Sequence, residues 1–589
     1  MKNCPRRWQF AGAPKGDPMG SDLLLIHAPS VFDFRKRSTL YGPISDVIPS
    51  TPVFEMYPVG FATLSHYLEK QGYGVRILNL AVKMLKSSTF DPESCLRSFR
   101  PVLFGLDLHW LPHIQGVVEV ARLLKRIHPG IPIVLGGLSA SYFHREILEN
   151  YQEIDYVIRG DCAEEPLAQL LKVLKGGGAL SEVPNLSCRR AESIVEGSID
   201  LVPESLNPYP LNYPHMIRQV HRYRDLASYF PFKKWFFYPI TAVLTCKGCN
   251  HNCITCGGSA SAMKRVVNRS RVAFKDPEVL AQEVSSITNY IRGPIFFLGD
   301  CMQGGRDQFT EMMEALRPLR IKNEVMLEFF SPPERDVLEE VASTFPRFNV
   351  EISPESHDEG VRRAFGRPYS NADLERFIED SRRSGCRRLD LFFMTGLPGQ
   401  DYASALGTVD YCRDLMAQYG SRTRLVPFIS PLAPFVDPGS DVFEAPDEYG
   451  YRLRFRSLED HRKAMLAHTW TEMLNYETQW MDRDTIAQAT YDSAIGLSRL
   501  KAERGLFSKK RTEAVVRRAR LEMDIMKKFR SLKSLPLKDR RRTAVSLGKI
   551  MKRSNGASVC QKEELNLPVS LIRLQLVNLL RLLLTGRGV

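Results

Sequence analysis

Short apolar runs bounded by turn residues alternate with stretches of helical periodicity, and they do so in two separate series. In the first, LLLIHAPS (23–30), VRILNL (75–80), VLFGLDLHW (102–110), PIVLGGLSA (132–140) and YVIRG (156–160) read as strands. They are continuously apolar, as strands buried on both faces of a parallel sheet must be. Between them, GFATLSHYLEKQG (60–72) and GVVEVARLLKRIHPG (116–130) read as helices that stop at glycine, the second just after a proline.

The first series predicts an α/β domain over 20–175, flavodoxin-like (Rossmann-type), with its ligand at the carboxyl ends of the strands. From 176 to 235 the pattern weakens. KGGGALSEVPNLSCRR and LNPYPLNYP are rich in Gly, Pro and Asn, which predicts a linker with limited structure of its own. The second series occupies 236–440, with strands at 240–246, 294–300, 325–331, 348–356, 387–399 and 423–432. Helical patterns cover 276–290, 306–318, 333–343, 371–385 and 402–418. Six β/α units predict a partial (β/α)6 TIM-like barrel with its chemistry at the carboxyl ends of the strands. Residues 441–589 read as a helical, basic C-terminal region.

The net charge of +14 is concentrated there, in SKKRTEAVVRRARLEMDIMKKFRSLKSLPLKDRRRTAVSLGKIMKR, and suggests a basic appendage attracted to an anionic partner. The first twenty residues lack the apolar core of a secretory signal, and no apolar stretch is long enough to span a bilayer. Twelve cysteines in 589 residues is too few for a disulfide scaffold. These features predict a cytoplasmic protein with reduced thiols.

Four of the cysteines crowd into TCKGCNHNCITCGGS (245–259), directly after the first strand of the second series. A structural zinc usually clips two pairs of cysteines a dozen or more residues apart, and here the pairs are nearly adjacent. The inner three, Cys249, Cys253 and Cys256, have a spacing that suits a 4Fe–4S cubane with one iron left open. Cys246 reads as a buried thiol outside that set.

C-x3-C-x2-C after the first strand of a six-unit β/α barrel resembles the radical S-adenosylmethionine (radical SAM) superfamily. The resemblance implies that Cys249, Cys253 and Cys256 ligate the cluster and that its open iron chelates S-adenosylmethionine (SAM). Reduction by an external flavodoxin- or ferredoxin-like donor would then release a 5′-deoxyadenosyl radical. LGD (298–300) stands where that superfamily has a Gly-Gly-Glu-like motif, which implies SAM contacts from Gly299 and Asp300. EISPES (351–356) and the following FGRPYSNADLERFIEDSRRSG (365–385) are similar to its fourth strand, implying Ser353, Glu355, Ser356 and Arg367. FFMTGLPGQ (392–400) is similar to its fifth-strand turn, implying Met394, Gly396 and Pro398. One departure is Thr255, at a position where the superfamily often has an aromatic residue.

LFGLDLHW and IVLGGLSASYF in the first series, with YPVGFATLSHYLEKQGYGVRILNL, resemble cobalamin-binding domains. The resemblance implies cobalamin contacts from Gly105, Asp107, His109, Gly136, Gly137, Ser139 and Gly160. The usual D-x-H-x-x-G loop should follow the first strand, where APSVFDFRKR has no histidine. Cobalamin bound with no protein histidine beneath the cobalt is therefore expected, with His109 and His113 lining the pocket wall or simply satisfied in the loop.

The two domains in this order resemble the cobalamin-binding radical SAM enzymes over about 20–430. That implies modification of an unactivated carbon, first of all by methyl transfer. Alternatives are radical carbon–carbon bond formation, cyclisation or rearrangement on a lipid or isoprenoid substrate. SLIRLQLVNLLRLLL near the C-terminus suits either a peripheral membrane contact or a helix capping the barrel. Two readings from other classes are a nucleic-acid-binding iron–sulfur or zinc protein, and a cobalamin carrier with an inert barrel. Aromatics that could stack on bases are scarce in 505–560, which disfavours nucleic acid.

Overall fold

The computed structural model describes residues 20–45, 50–190, 193–420, 424–432, 434–534, 536–554 and 559–585. Cys4, most of the N-terminal stretch and the last four residues lie outside that set. The first sheet contains β1 (Leu23–His27), β2 (Val75–Asn79), β3 (Leu103–Asp107), β4 (Ile133–Gly136) and β5 (Tyr156–Ile158), all parallel. β6 (Leu186–Arg190) and β7 (Ser193–Glu196) extend it antiparallel, giving the order β2-β1-β3-β4-β5-β6-β7. The parallel part has the flavodoxin-like order, with a switch point between β1 and β3. The helix Ile114–Ile127 shows why the chain folds this way: Ile114, Val117, Val118, Ala121 and Leu124 recur at helical spacing and are buried. Full burial of each large side chain contributes about 1.5–3 kcal/mol, and a charge at Val117 would break this face.

Residues 176–235 are not the weakly structured linker expected from their composition. β6, β7 and the helices Tyr213–Tyr223 and Leu226–Tyr229 lie within them. Gly and Pro there mark the corners of a hairpin added to the sheet edge, where Cys188 and Ser187 pair with β5.

The second sheet runs in sequence order: β8 (Thr241–Leu244), β9 (Ile295–Leu298), β10 (Val325–Phe329), β11 (Phe348–Glu355), β12 (Arg388–Thr395) and β13 (Arg424–Pro431). All neighbours are parallel, so this is an open six-stranded partial barrel. Just beyond β8, Cys246–Lys247 forms a two-residue antiparallel ribbon with Ala273–Phe274.

The C-terminal region is integral to this barrel rather than appended to it. The helix Arg483–Glu503 buries Ile486, Ala489, Ser493 and Leu497, and its Thr490 hydroxyl bonds Thr395 at the end of β12 at 2.6 Å. At the amino end of the barrel, Arg388 donates to the Glu564 carbonyl at 2.6 Å and the Asn566 carbonyl at 3.1 Å. Segment 559–567 thereby closes the barrel floor. The last apolar run becomes helical only over Leu576–Thr585, because Leu574 pairs as an isolated bridge with Ile291 just before it.

Candidate active site

The cysteine loop is held from several sides. Gln303 accepts the Asn250 N–H at 2.8 Å and donates to Cys249 Sγ at 3.1 Å. The His251 N–H lies 3.4 Å from the same sulfur, and the Gly258 N–H lies 3.3 Å from Cys256 Sγ. N–H groups aimed at sulfur favour the thiolate over the thiol. Asp437, after β13, accepts the Gly257 N–H at 2.9 Å. Gly366, of the FGRP stretch, has φ +110, and a Cβ there would meet the Asn252 carbonyl at 2.6 Å. Only glycine lets the loop carrying Cys253 pass so close.

Cys253 is buried, Cys249 half-buried and Cys256 exposed. Among the described residues, no three His, Cys, Asp or Glu side chains converge tightly enough to hold a single metal ion. Three thiols in one loop, two of them receiving N–H donors, fit the three-thiolate set of an iron–sulfur cluster. Cys246 Sγ lies 3.2 Å from the place a Gly299 Cβ would take, and burial pushes its thiol up to about 12.

Several residues implied as SAM contacts gather at the carboxyl ends of the strands beside this loop. Gly299 has φ +90, and its N–H donates to Glu328 on β10 at 3.1 Å. Asp300 Oδ2 lies 3.6 Å from His251 Nε2. Glu355, with φ +68, ends β11, and its Oε1 lies 3.7 Å from Arg367 Nε. Glu355 Oε2 and Arg367 Nε are both buried without a hydrogen-bond partner. Orphaned buried polar atoms are costly, and a polar ligand would satisfy them. Arg367 also donates to the Phe330 carbonyl at 2.9 Å and stacks over that ring. The backbone of Ser353 accepts from Tyr369 on the same side, and Met394 is half-buried on β12.

Three further implied residues make contacts within the fold. Ser356 is fully buried, with its hydroxyl taking the Asp358 N–H and its carbonyl taking Arg362. Gly396 lies under Tyr476, 3.0 Å from where its Cβ would be, and its carbonyl accepts from Tyr451. Pro398 is buried in the same turn. The hairpin strands Tyr451–Leu453 and Tyr476–Thr478 cover this turn, and sequence alone gave no hint of that cover. Glu328 and Gln303 were missed, although a lone glutamate in the apolar run VMLEFFS was a signal.

In the first sheet, six of the seven implied cobalamin residues stand at the carboxyl edge of β3, β4 and β5. Gly105 does not. It sits mid-strand, where a Cβ would meet Leu25 Cδ2 at 2.9 Å, so its missing side chain makes room for core packing. Gly137 also differs from expectation: its φ is +111, and a Cβ would approach the His109 backbone to 2.6 Å. Its openness serves the neighbouring loop, which Ser139 Oγ fastens by donating to the His109 carbonyl at 3.0 Å. Gly136 faces open space, its nearest neighbour the Ile158 carbonyl at 3.9 Å. Gly160, with φ +116, donates its N–H to Ser141 at 3.0 Å.

Asp107 is engaged by His27, whose Nδ1 lies 3.0 Å away and whose Nε2 donates to the Phe54 carbonyl. Burial opposes the charge on both partners, but their mutual attraction prevails: His27 is raised and Asp107 lowered. His113 is 1% exposed, and its Nδ1 donates to the Ala28 carbonyl, so it is a satisfied loop histidine on that side. Its Nε2 has no partner, and burial pushes the ring down to about 4. His109 is half-buried at the edge.

The two carboxyl edges meet. Lys247, two residues before Cys249, donates to the Asp161 carbonyl at 2.7 Å and lies 3.3 Å from Cys162 Sγ, immediately after Gly160. Arg269 forms a bidentate pair with the Asp161 carboxylate at 2.5 and 3.1 Å.

Residues 46–171 match the B12 binding domain model, and residues 243–412 match the Radical SAM superfamily model. The chain belongs to the cobalamin-binding radical SAM family. It is 25% identical over 236 residues to the anaerobic magnesium-protoporphyrin IX monomethyl ester cyclase of Synechocystis sp., covering 40% of this chain and 43% of that protein. It is 26% identical over 211 residues to the hopanoid C-3 methylase of Methylococcus capsulatus, covering 35% of this chain and 37% of that protein. The match thus spans less than half the length of either relative. Among solved structures, the radical SAM methyltransferase TsrM of Kitasatospora setae, with cobalamin and a 4Fe–4S cluster bound, gives a TM-score of 0.54 at 17% identity, covering 74% of this chain and 77% of that one. The cobalamin-dependent radical enzyme OxsB gives 0.55 at 13% identity, covering 92% and 77%. These likenesses show that the two-domain fold is shared.

Proposed function

We propose that the chain is a cobalamin-dependent methyltransferase acting on an unactivated carbon. The observation that carries this reading is the bridge from Lys247 and Arg269 to Asp161, which sets the cysteine loop against the carboxyl edge of the first sheet. Two cofactors held on those edges would share one enclosed space, and proximity is what a radical reaction most needs from its protein.

Cys249, Cys253 and Cys256 are assigned to the cluster. Asp300, Glu355 and Arg367 are assigned to the polar end of SAM, with Gly299 leaving room beside them. Gly136, Gly160 and His109 are assigned to the cobalamin edge, while His27 and His113 Nδ1 are already engaged within the fold. When bound, these groups supply a 5′-deoxyadenosyl radical and a methyl donor. The chain's own residues orient them, and the floor formed by 559–567 excludes water from below. Electrons are assigned to an external flavodoxin- or ferredoxin-like donor.

The cyclase among the relatives favours a second reading, ring closure without methylation. Anaerobic reconstitution with SAM labelled in its methyl group separates the two. Label in the product together with 5′-deoxyadenosine supports methyl transfer, and 5′-deoxyadenosine with an unlabelled product supports ring closure. No 5′-deoxyadenosine from cluster-loaded, reduced protein would sink both.

A further inference from the structure

The end of the barrel opposite this site carries an unusual surface. Leu571 is 99% exposed, Leu584 83%, Val577 80% and Leu576 66%, with Ile572 and Leu580 close behind. The helix Leu576–Thr585 is nevertheless firmly seated. Asn578 donates to the Asn289 carbonyl at 2.7 Å, the Gln575 N–H donates to the Tyr290 carbonyl at 2.9 Å, and Leu582 is fully buried. Its inner face is therefore fixed by polar bonds and by Leu582, while its outer face is apolar as well, unlike that of an ordinary surface helix.

A second element of the same character adjoins it. In PFKKWFFYPI (231–240), Phe237 is 68% and Phe236 45% exposed, and Lys233 and Lys234 are exposed beside them. The next residue, Tyr238, accepts the Leu567 N–H at 3.2 Å, so this loop and the C-terminal segment meet at the barrel floor. Neither stretch contains an acid: 231–240 has none, and none follows Glu564, whereas Arg573 and Arg581 lie among the leucines.

We infer that the barrel floor docks on an anionic lipid bilayer, with Phe236, Phe237, Leu576, Val577, Leu580 and Leu584 entering the interface. Protruding apolar side chains interspersed with cations suit a surface that is apolar inside and anionic at its headgroups. Lys234 pairs loosely with Glu563 at 3.9 Å, but a two-fold contact would still press Lys233, Arg573 and Arg581 toward their own copies, so a second copy is a poor occupant. Among the described residues no helix is long and apolar enough to cross a membrane, so the contact is peripheral. The floor lies opposite the cysteine loop, so docking anchors the protein with its reactive mouth turned away. The inference therefore stands independently of the reaction catalysed.

Flotation of the full-length protein with vesicles of phosphatidylcholine, alone or mixed about three to one with phosphatidylglycerol, tests it. Binding to the mixed vesicles is expected, weakening at high salt, with much less binding to the neutral ones. Val577→Glu with Leu584→Glu, and separately Phe236→Ser with Phe237→Ser, should each lower the bound fraction about tenfold. All four side chains are exposed, and an unchanged melting temperature confirms that the variants fold. Absence of the wild type from floated mixed vesicles overturns the inference. So does a dimer in light scattering that the Val577→Glu, Leu584→Glu variant dissolves.

Discussion

Arg367 Nε and Glu355 Oε1 lie 3.7 Å apart at the carboxyl end of the barrel, and Glu355 Oε2 is buried with no donor. Burial pushes the Glu355 carboxyl from 4.5 up to about 7, although Arg367 pulls the other way. The folded apoprotein therefore keeps a proton there that the unfolded chain loses near pH 4.5. Stability should fall as pH rises from about 4.5 to about 7 and level off above. Glu355→Gln removes that slope and should stabilise the apoprotein at pH 8 by up to about 3 kcal/mol. If Glu355 holds SAM, the same change should abolish 5′-deoxyadenosine formation. Denaturant melts across the pH range, paired with that product assay, check both halves.

Burial raises Cys249 and pushes Cys253 up to about 11, so both are thiols at neutral pH before metal arrives. Cluster assembly has to expel their protons. Iron and sulfide loading during anaerobic reconstitution should accordingly be greater at about pH 8.5 than at about pH 6.5. Replacing Cys249, Cys253 or Cys256 by Ala should reduce bound iron to background, while Cys246→Ala should keep it near the wild-type level. Equal loss with Cys246→Ala would make the fourth thiol a ligand.

Periodicity made both α/β series legible, because strands buried on two faces are continuously apolar. It also placed the cysteine loop at the end of β8. Composition misled at 176–235, where Gly and Pro looked like a linker yet mark the turns of β6 and β7. What sequence could not show was which glycine serves which neighbour. Gly105 makes room for Leu25, Gly137 for the His109 backbone and Gly396 for Tyr476, contacts made across long sequence separations. Lys247 and Asp161 likewise meet only once both domains are folded.

The two adjacent glycines at the end of β4 should respond differently to alanine. At Gly137, φ +111 and a Cβ 2.6 Å from the His109 backbone combine strain with a clash against rigid atoms. Gly137→Ala should cost several kcal/mol, about 2–4 by analogy with other positive-φ and overpacking changes, and lower the melting temperature. At Gly136 the nearest atom is 3.9 Å away, so Gly136→Ala should fold normally. If that open space admits the corrin edge, Gly136→Ala should bind cobalamin more weakly, as read from the corrinoid absorption of the gel-filtered protein.

Arg388 joins the barrel to its floor. Its Nε lies 2.6 Å from Asp390 Oδ1, and its other nitrogens donate to the carbonyls of Glu564 and Asn566. Both side chains are nearly inaccessible, so truncation would leave the Asp390 carboxylate buried beside Glu351 without its hydrogen-bonded counter-charge, and with Lys501 and Arg424 acting on it only through space. Removing one member of a buried pair costs about 3–5 kcal/mol, far more than the pair itself contributes relative to apolar packing. Arg388→Met should therefore be strongly destabilising and should expose 559–567 to limited proteolysis. Arg388→Met with Asp390→Leu should regain much of the stability, yet leave 559–567 cleavable, because the two carbonyl contacts stay lost. Protection of the segment in the double variant would mean that Lys501, 3.0 Å from the Glu564 carboxylate, holds the floor by itself.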